Sequence, residues 1–227
     1  MANFKVHCIT AAVAGGVVGT LLLKEHLLEP YGVITGFFLT TLGGLLPDVD
    51  ADNSTLLATF LTIVAVILSF LVMFSQSQQR TGMELILLWL GCYLFCKWVV
   101  FALITQLTTH RGIFHSLPAA LLASLATVML LYHLFGWSNR SSWLGGGFLG
   151  LGYLLHLLLD EFASLNPFGI TGIRHSLGSA LKLRSQDLLP TLVVYLAIAG
   201  IFPFLPEGIG VWRDFLRIGI WSGMGSG

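Results

Sequence analysis

The sequence predicts an all-α, polytopic membrane helix bundle of about seven spanning or partly spanning helices, followed by a C-terminal amphipathic helix. Of the 227 residues, 56% are hydrophobic and only 10% are charged. Soluble domains carry about 25% charged residues, so this chain has too few to cover a water-exposed surface, and its solvent must be lipid. The sequence lacks the apolar–polar alternation that indicates strands. We therefore expect a single membrane-embedded domain over residues 1–227.

Seven apolar segments are candidates for the helices of this bundle, because a membrane span needs about 20 mostly apolar residues. The first two segments are short and the second contains four glycines, so we expect them to tilt or to cross incompletely. Glycines in the first and sixth segments favour close packing of helices. The segments are residues 8–23, 31–46, 55–74, 83–107, 116–135, 143–160 and 187–205.

The segment after these spans, residues 208–221, has apolar residues at helical spacing. Arg213, Asp214 and Arg217 lie between them. This pattern is typical of a helix that lies in the membrane interface, and we expect the remaining residues up to 227 to fray.

Charge and cysteine content exclude two other classes of protein. The net charge is zero, which argues against nucleic acid as a partner because nucleic-acid binding needs an excess of basic residues. Cys8, Cys92 and Cys96 are an odd number in or beside apolar segments, so they give no disulfide framework. Membrane lipid is the expected surrounding partner.

Four polar clusters lie at the ends of the predicted spans. One precedes the first span, one follows the second, one separates the fourth and fifth, and one ends the sixth. Because consecutive spans leave one membrane face and return to it in pairs, we expect all four clusters at the same face. The clusters consist of His7; Asp48 and Asp50; His110, Arg111 and His115; and His156 with Asp160.

The residue types in these clusters suit a divalent cation. Neutral imidazoles and carboxylates are the usual ligands of zinc and related ions. His156 and Asp160 are four residues apart, so they project from one face of a helix. Asp48 and Asp50 would repel each other in a turn unless a cation neutralised them. Arg111 stays protonated, and its planar guanidinium suits a phosphate or a developing oxyanion.

The motifs LPDVD at 46–50, HRGIFHS at 110–116 and GYLLHLLLD at 152–160, with His7 near the start, resemble those of the LexA-regulated, inner-membrane, metal-dependent hydrolase family of prokaryotes. That family is described as distantly similar to zinc-dependent phospholipase C and P1-type nucleases, helical proteins in which clustered zinc ions cleave phosphoesters. The resemblance implies two or three divalent ions, with zinc ahead of manganese and magnesium. It also implies a bridging or positioning role for Asp50. The ligands that it implies are His7, Asp48, His110, His115, His156 and Asp160.

The leading functional hypothesis is metal-assisted hydrolysis of a phosphoester in an amphiphilic substrate. Arg111 would neutralise charge in the transition state, and Asp50 or Asp160 would orient the attacking water. The loop 161–186 is long enough to cover the site. The alternative is a divalent-metal or proton-coupled transporter that uses the same cluster. A transporter predicts polar groups along a path through the bilayer, whereas the sequence gathers them at one face, with Lys97 elsewhere.

The distribution of basic residues in short loops favours a cytoplasmic position for the cluster face of an inner-membrane protein. The opposite face has fewer basic residues unless the C-terminal helix lies there. The cluster face carries Lys5, Arg111, Arg174, Lys182 and Arg184; the other face carries Lys24, Arg80 and Arg140, with Arg213 and Arg217 added if the tail lies on that side.

Overall fold

The computed structural model describes residues 4–50, 54–100, 115–165, 182–184 and 188–208. Within these ranges the chain forms seven α-helices and no strand, which confirms the predicted all-α fold class. The helices are α1 (Phe4–Lys24), α2 (Pro30–Leu45), α3 (Ser54–Ser75), α4 (Gly82–Phe95), α5 (Leu117–Met129), α6 (Asn139–Leu165) and α7 (Leu188–Ile201).

Short irregular helical turns extend several of these helices. π-helical turns continue α4 over Cys96–Val100 and α5 over Leu130–Leu134, and 3-10 turns cover Pro47–Asp50 and Phe202–Phe204. Each of the seven predicted segments is therefore helical where the structure describes it. The end of the fourth segment, beyond residue 100, and the predicted amphipathic helix from residue 209 onward lie outside the described residues.

The helix starts follow local sequence signals. Pro30 occupies the first turn of α2, where its missing N–H costs nothing. Thr81 and Glu84 form a reciprocal capping box at the start of α4. The hydroxyl oxygen of Ser116 accepts a hydrogen bond from the backbone N–H of Ala119 at 3.3 Å, so Ser116 caps α5.

The described helices have the length and surface of membrane spans. Four are long and apolar enough to cross a bilayer: Lys5–Lys24, Gly82–Val99, Leu117–Leu134 and Asn139–Ala163. Helix α2 has 16 residues and is therefore about 24 Å long, shorter than the roughly 30 Å hydrocarbon core. Helix α1, with 21 residues, is longer than its apolar segment predicted and long enough to cross. Large apolar side chains such as Ile9 and Phe38 are more than half exposed, as lipid-facing residues are. The chain is an integral membrane protein.

Glycines bring the backbones of α1, α2 and α6 into contact. Gly15 of α1 lies against Thr40, and Gly19 lies against Val33, so α1 and α2 are antiparallel. Helices α2 and α6 run parallel: Gly36 contacts the ring of Phe148, and further along the backbones of the two helices touch. The second contact involves Gly43 with the Leu149 carbonyl and Gly152 with the Thr40 carbonyl. Small residues allow such approaches, which supports the packing role expected for the glycines.

This arrangement brings several polar ends together. The start of α1, the end of α2, the start of α5 and the end of α6 all lie at one end of the bundle. The antiparallel contact of α5 with α6 includes a hydrogen bond that the Ser124 hydroxyl donates to the Gly146 carbonyl oxygen at 2.7 Å. The opposite end contains the start of α2, the end of α5 and the start of α6, together with the segment after α7. There, His133 contacts the carbonyl oxygen of Phe204 at 2.7 Å.

The close contact between α2 and α6 can be tested by adding one methyl group. A Cβ at Gly152 would collide with the carbonyl oxygen of Thr40, whereas a Cβ at Gly147 of the same helix would meet nothing within 4 Å. We expect Gly152→Ala to lower the free energy of unfolding by about 1–3 kcal/mol, as overpacking does. Gly147→Ala should be neutral or stabilising, because alanine favours helix by about 1 kcal/mol. Thermal unfolding in detergent measures both, and equal melting temperatures would refute the contact.

Candidate metal centre

Five of the residues singled out in the sequence lie side by side at one end of the bundle. They fall into two overlapping groups of three, and within each group one potential ligand atom per residue lies within 4.8 Å of the others. His156 belongs to both groups. The first group is His7, His156 and Asp160; the second is Asp48, His115 and His156.

Each side chain is held by the end of a helix. His7 lies in the first turns of α1, and His156 and Asp160 lie one turn apart on α6. Asp48 lies in the 3-10 turn that follows α2 after Pro47. His115 directly precedes Ser116, whose capping of α5 fixes the direction in which the chain enters that helix. Residues distant in sequence therefore converge because their helices end at the same level.

The cluster is buried unevenly. His7 and His156 are each 1% exposed and Asp160 is 7% exposed. The side chains of His115 and Asp48 are 15% and 24% exposed. A buried carboxylate is costly unless positive charge or hydrogen bonds compensate it. Asp48 and His115 thus form the more accessible side of the cluster, and His7 forms its base together with His156.

The distances within the cluster fit ligands arranged around an ion. The Nε2 atom of His7 lies 3.3 Å from Oδ1 of Asp160, and the Nε2 atoms of His115 and His156 each lie 3.5 Å from Oδ2. The Nε2 atom of His156 is also 3.6 Å from Oδ1 of Asp48. These separations exceed the usual N–H···O range of about 2.7–3.2 Å. Two ligands at about 2.0–2.1 Å from a tetrahedral zinc ion are themselves about 3.3–3.4 Å apart.

The imidazole nitrogens that face the carboxylates make no hydrogen bond in the described part of the chain. The buried Nε2 atoms of His7, His115 and His156 have no hydrogen-bond partner there, and neither does Nδ1 of His7. Buried polar atoms are normally hydrogen-bonded. Three orphaned nitrogens around one carboxylate are therefore the arrangement expected of a site built for a cation.

The tautomer of His156 follows from its second ring nitrogen. Its Nδ1 lies 2.8 Å from the carbonyl oxygen of Gly44. Because a carbonyl can only accept, Nδ1 carries the proton, and the Nε2 lone pair points into the cluster. A histidine ligand typically donates its other N–H to such an oxygen, which fixes the orientation of the ring. The ring of His7 stacks on that of His156 with centroids 3.8 Å apart, which holds the two potential ligands side by side.

The other predicted site residues are not described to the same extent. His110 and Arg111 lie outside the described residues, so their assigned roles stay predictions. Asp50 ends the 3-10 turn after α2, but its side chain also lies outside the described part. The structure therefore brings together five of the six expected ligands and leaves the roles expected of Arg111 and Asp50 as predictions.

Two contributions to the site come from backbone groups that the sequence did not indicate. The Gly44 carbonyl oxygen orients His156; the Gly43–Gly44 pair at the end of α2 was a possible signal for such an approach. In addition, the Lys182 carbonyl oxygen accepts a hydrogen bond from the Leu117 N–H at 3.0 Å. This contact places residues 182–184, in the second half of the predicted loop, beside the start of α5 and next to His115.

An apolar helix bundle that gathers imidazoles and carboxylates in a buried cluster at one end defines an integral membrane protein with a candidate metal centre. The chain belongs to the YdjM inner membrane protein family, whose model matches residues 1–177, a range that includes α1 to α6 and the whole cluster. This match confirms the inner-membrane part of the resemblance. Comparisons with curated proteins and with solved structures find no match. The hydrolase activity, the zinc and the LexA regulation implied by the resemblance stay predictions.

Metal analysis of purified protein tests the cluster directly. We expect the protein to carry bound divalent metal after mild purification, and Asp160→Asn to lower its affinity for metal by about tenfold or more, since even groups that only orient ligands contribute that much. His133→Ala is the matched control, because that imidazole hydrogen-bonds Phe204 at the other end of the bundle. Elemental analysis by mass spectrometry measures the metal content. Equal metal content in both variants and the parent would show that the cluster holds no ion.

Proposed function

We propose that this protein is a membrane-embedded, metal-dependent hydrolase that cleaves a phosphoester of a lipid or other amphiphilic substrate. The observation that carries the proposal is the environment of Asp160. This one buried carboxylate lies 3.3–3.5 Å from three imidazole nitrogens that have no hydrogen-bond partner among the described residues. Such a donor set is typical of zinc sites that perform hydrolysis.

The residues of the cluster would hold two ions, with His7 in one ligand set and His115 and His156 in the other. Each neutral imidazole has a single lone pair on Nε2, so each histidine can bind only one ion. The two oxygens of Asp160 face different rings: Oδ1 faces His7, while Oδ2 faces His115 and His156. Asp48 would complete the second set, because its Oδ1 lies 3.6 Å from Nε2 of His156. Three imidazoles favour zinc over magnesium, which prefers oxygen ligands and retains water.

Each residue of the site would have a separate role in hydrolysis. When bound, divalent ions lower the pKa of a bound water toward neutrality and polarise the phosphoryl oxygens. His156, held by the Gly44 carbonyl, and Asp160, placed one turn further on α6, keep the donor atoms fixed. Arg111 is assigned to the phosphoryl oxygens, where its guanidinium offsets developing charge. Asp50 is assigned to orient the attacking water by accepting its proton.

The position of the cluster supports an amphiphilic substrate. It lies where helices end, so a headgroup could reach it while acyl chains stay in the bilayer. The more accessible ligands, Asp48 and His115, mark the side from which a headgroup would approach. The hydrogen bond from Leu117 to Lys182 brings a segment with two basic residues, Lys182 and Arg184, beside this side of the site. Basic residues at a membrane surface attract anionic headgroups.

A transport function is less well supported by the same helices. An ion pathway along α1, α2 or α6 would run from the cluster to the other end of the bundle. Between residues 8 and 23 of α1, throughout α2, and between residues 141 and 155 of α6 the sequence contains no Asp, Glu, His, Lys or Arg. Where these helices meet, backbones and glycines are in contact. Helices in close contact, without ionisable side chains between them, favour a catalytic site over a pathway for ion transport.

We propose a cytoplasmic position for the cluster face, from the loop charges given above. A cysteine introduced at Ser77, an exposed residue of the turn between α3 and α4, should then react with a membrane-impermeant maleimide added to intact cells. The native cysteines would be replaced by serine beforehand. If the introduced cysteine reacts only after the cells are opened, the turn between α3 and α4 is cytoplasmic and the proposed orientation is wrong.

The hydrolase proposal predicts chelator-sensitive turnover. Reconstituted protein should release product from a phospholipid phosphoester, and removal of metal should lower the rate by about two orders of magnitude or more, because the metal supplies both nucleophile and charge stabilisation. His156→Ala should be inactive to the same extent. Addition of zinc should restore the parent but not the variant.

The control and the rival outcome use the same preparations. His133→Ala should retain the parental rate, and a water-soluble phosphomonoester should be cleaved more slowly than the lipid. Equal turnover with and without chelator would end the proposal. Uptake of divalent ions into sealed proteoliposomes, without any hydrolysis, would favour the transporter instead.

A further inference from the structure

A cleft of about 540 Å³ opens between the first turns of α2 and α6, at the end of the bundle opposite to the metal cluster. The mouth of the cleft and the candidate metal centre lie at opposite ends of α2, which is about 24 Å long. The cleft lies in the size range of sites for small molecules. Each helix contributes one stripe of residues at four-residue spacing. These are Tyr31, Thr35 and Leu39 on α2, and Arg140, Leu144 and Phe148 on α6.

The lining changes from polar to apolar along both stripes. At the mouth lie Arg140, Ser138 and Ser141, and deeper between the helices lie Leu144 and Phe148, both less than 9% exposed. In a membrane protein this order follows the bilayer, with charged groups near the headgroups and apolar groups near the acyl chains. A ligand that fills the whole cleft must therefore be amphiphilic.

Arg140 is the cation of this cleft. Its side chain is half-buried, and it pairs with no carboxylate among the described residues. Ser138 and Ser141 lie beside it, with their hydroxyl oxygens 2.9 Å apart. A guanidinium fork with neighbouring hydroxyls binds phosphate oxygens through charge-assisted hydrogen bonds. A half-buried, unpaired arginine is thus a reason to expect an anionic group here.

The opposite side of the mouth carries a negative charge and aromatic surface. Glu29 precedes Pro30, and its side chain does not cap α2. Tyr31, which is 83% exposed, lies on the same side, and Trp137 lines the cleft next to Ser138. A carboxylate beside aromatic faces suits an ammonium group through charge and cation–π attraction. The mouth therefore matches one positive and one negative group on the same ligand.

We propose that this cleft binds a zwitterionic phospholipid whose headgroup ends in a primary ammonium, such as phosphatidylethanolamine. Arg140 and Ser141 hold the phosphate, and Glu29 holds the ammonium. The first methylene groups of an acyl chain lie against Leu39, Leu144 and Phe148. Free phosphate would leave the apolar wall unused, and phosphatidylglycerol would leave Glu29 unpaired. The site is separate from the metal centre, so it stands or falls independently of the hydrolase proposal.

The test compares lipids on delipidated protein by native mass spectrometry. With dioleoyl phosphatidylethanolamine and dioleoyl phosphatidylglycerol in equal amounts, we expect one phosphatidylethanolamine per chain to be retained preferentially. Arg140→Gln should weaken its retention by about tenfold or more, the effect of losing charge-assisted hydrogen bonds. Glu29→Gln should abolish the preference over phosphatidylglycerol while phosphate-dependent retention persists.

Matched variants separate the site from charge and folding effects. Arg80→Gln removes an arginine outside the cleft and should retain the lipid as the parent does. Thr35→Phe narrows the cleft without altering its charge and should also lose the lipid, which gives a second variant if Arg140→Gln unfolds. Unchanged metal content and melting temperature establish that a variant is folded. Parental lipid retention in folded Arg140→Gln or Thr35→Phe would overturn the proposal, as would equal binding of phosphatidylglycerol or equal affinity for inorganic phosphate.

Discussion

The contact between the backbones of α2 and α6 is the constraint on which the rest of the structure depends. Within lipid, apolar side chains gain little by leaving one apolar environment for another, so helices associate mainly through close packing. Gly43 and Gly152 allow that packing by placing each helix against a carbonyl group of the other. The same approach brings the Gly44 carbonyl oxygen to Nδ1 of His156. One contact therefore stabilises the bundle and also directs a potential ligand.

The chemistry of the cluster fits a cation site better than a structural polar core. A structural core would satisfy its buried imidazoles with hydrogen bonds, since an orphaned polar atom costs about 1–3 kcal/mol. Here the Nε2 atoms of His7 and His156 lack such partners among the described residues, although Asp160 lies just beyond hydrogen-bond range of both. The two rings stack on each other, and the Gly44 carbonyl oxygen holds the ring of His156 in its orientation. Divalent ions held between these nitrogens and the carboxylate would satisfy each of the three groups.

Much of the fold could be predicted because the long apolar segments show where the helices lie. The number of spans between two clusters, odd or even, then determines whether they meet at the same end of the bundle. Counting passes through the bilayer was enough to bring His7, Asp48 and Asp160 to one end. The contributions of the Gly44 and Lys182 carbonyl oxygens could not be predicted, since every residue has a carbonyl and the choice depends on helix register. The contact of Lys97 could not be predicted for a similar reason: its Nζ lies 3.3 Å from the Tyr93 hydroxyl one helical turn away. The four-residue spacing of Tyr93 and Lys97 is visible in the sequence. The two side chains meet only because the helix continues from Tyr93 through Lys97.

The packing of α2 against α6 differs between the two ends of the bundle. Toward the C-terminal ends of α2 and α6 the facing residues are glycines, so the backbones touch. At the middle of the contact the ring of Phe148 rests on Gly36 and acts as a spacer. Beyond it Thr35 and Arg140 line the cleft between the two helices. This parallel pair is in backbone contact at the end where the candidate ligands meet and is separated by a cleft at the other end.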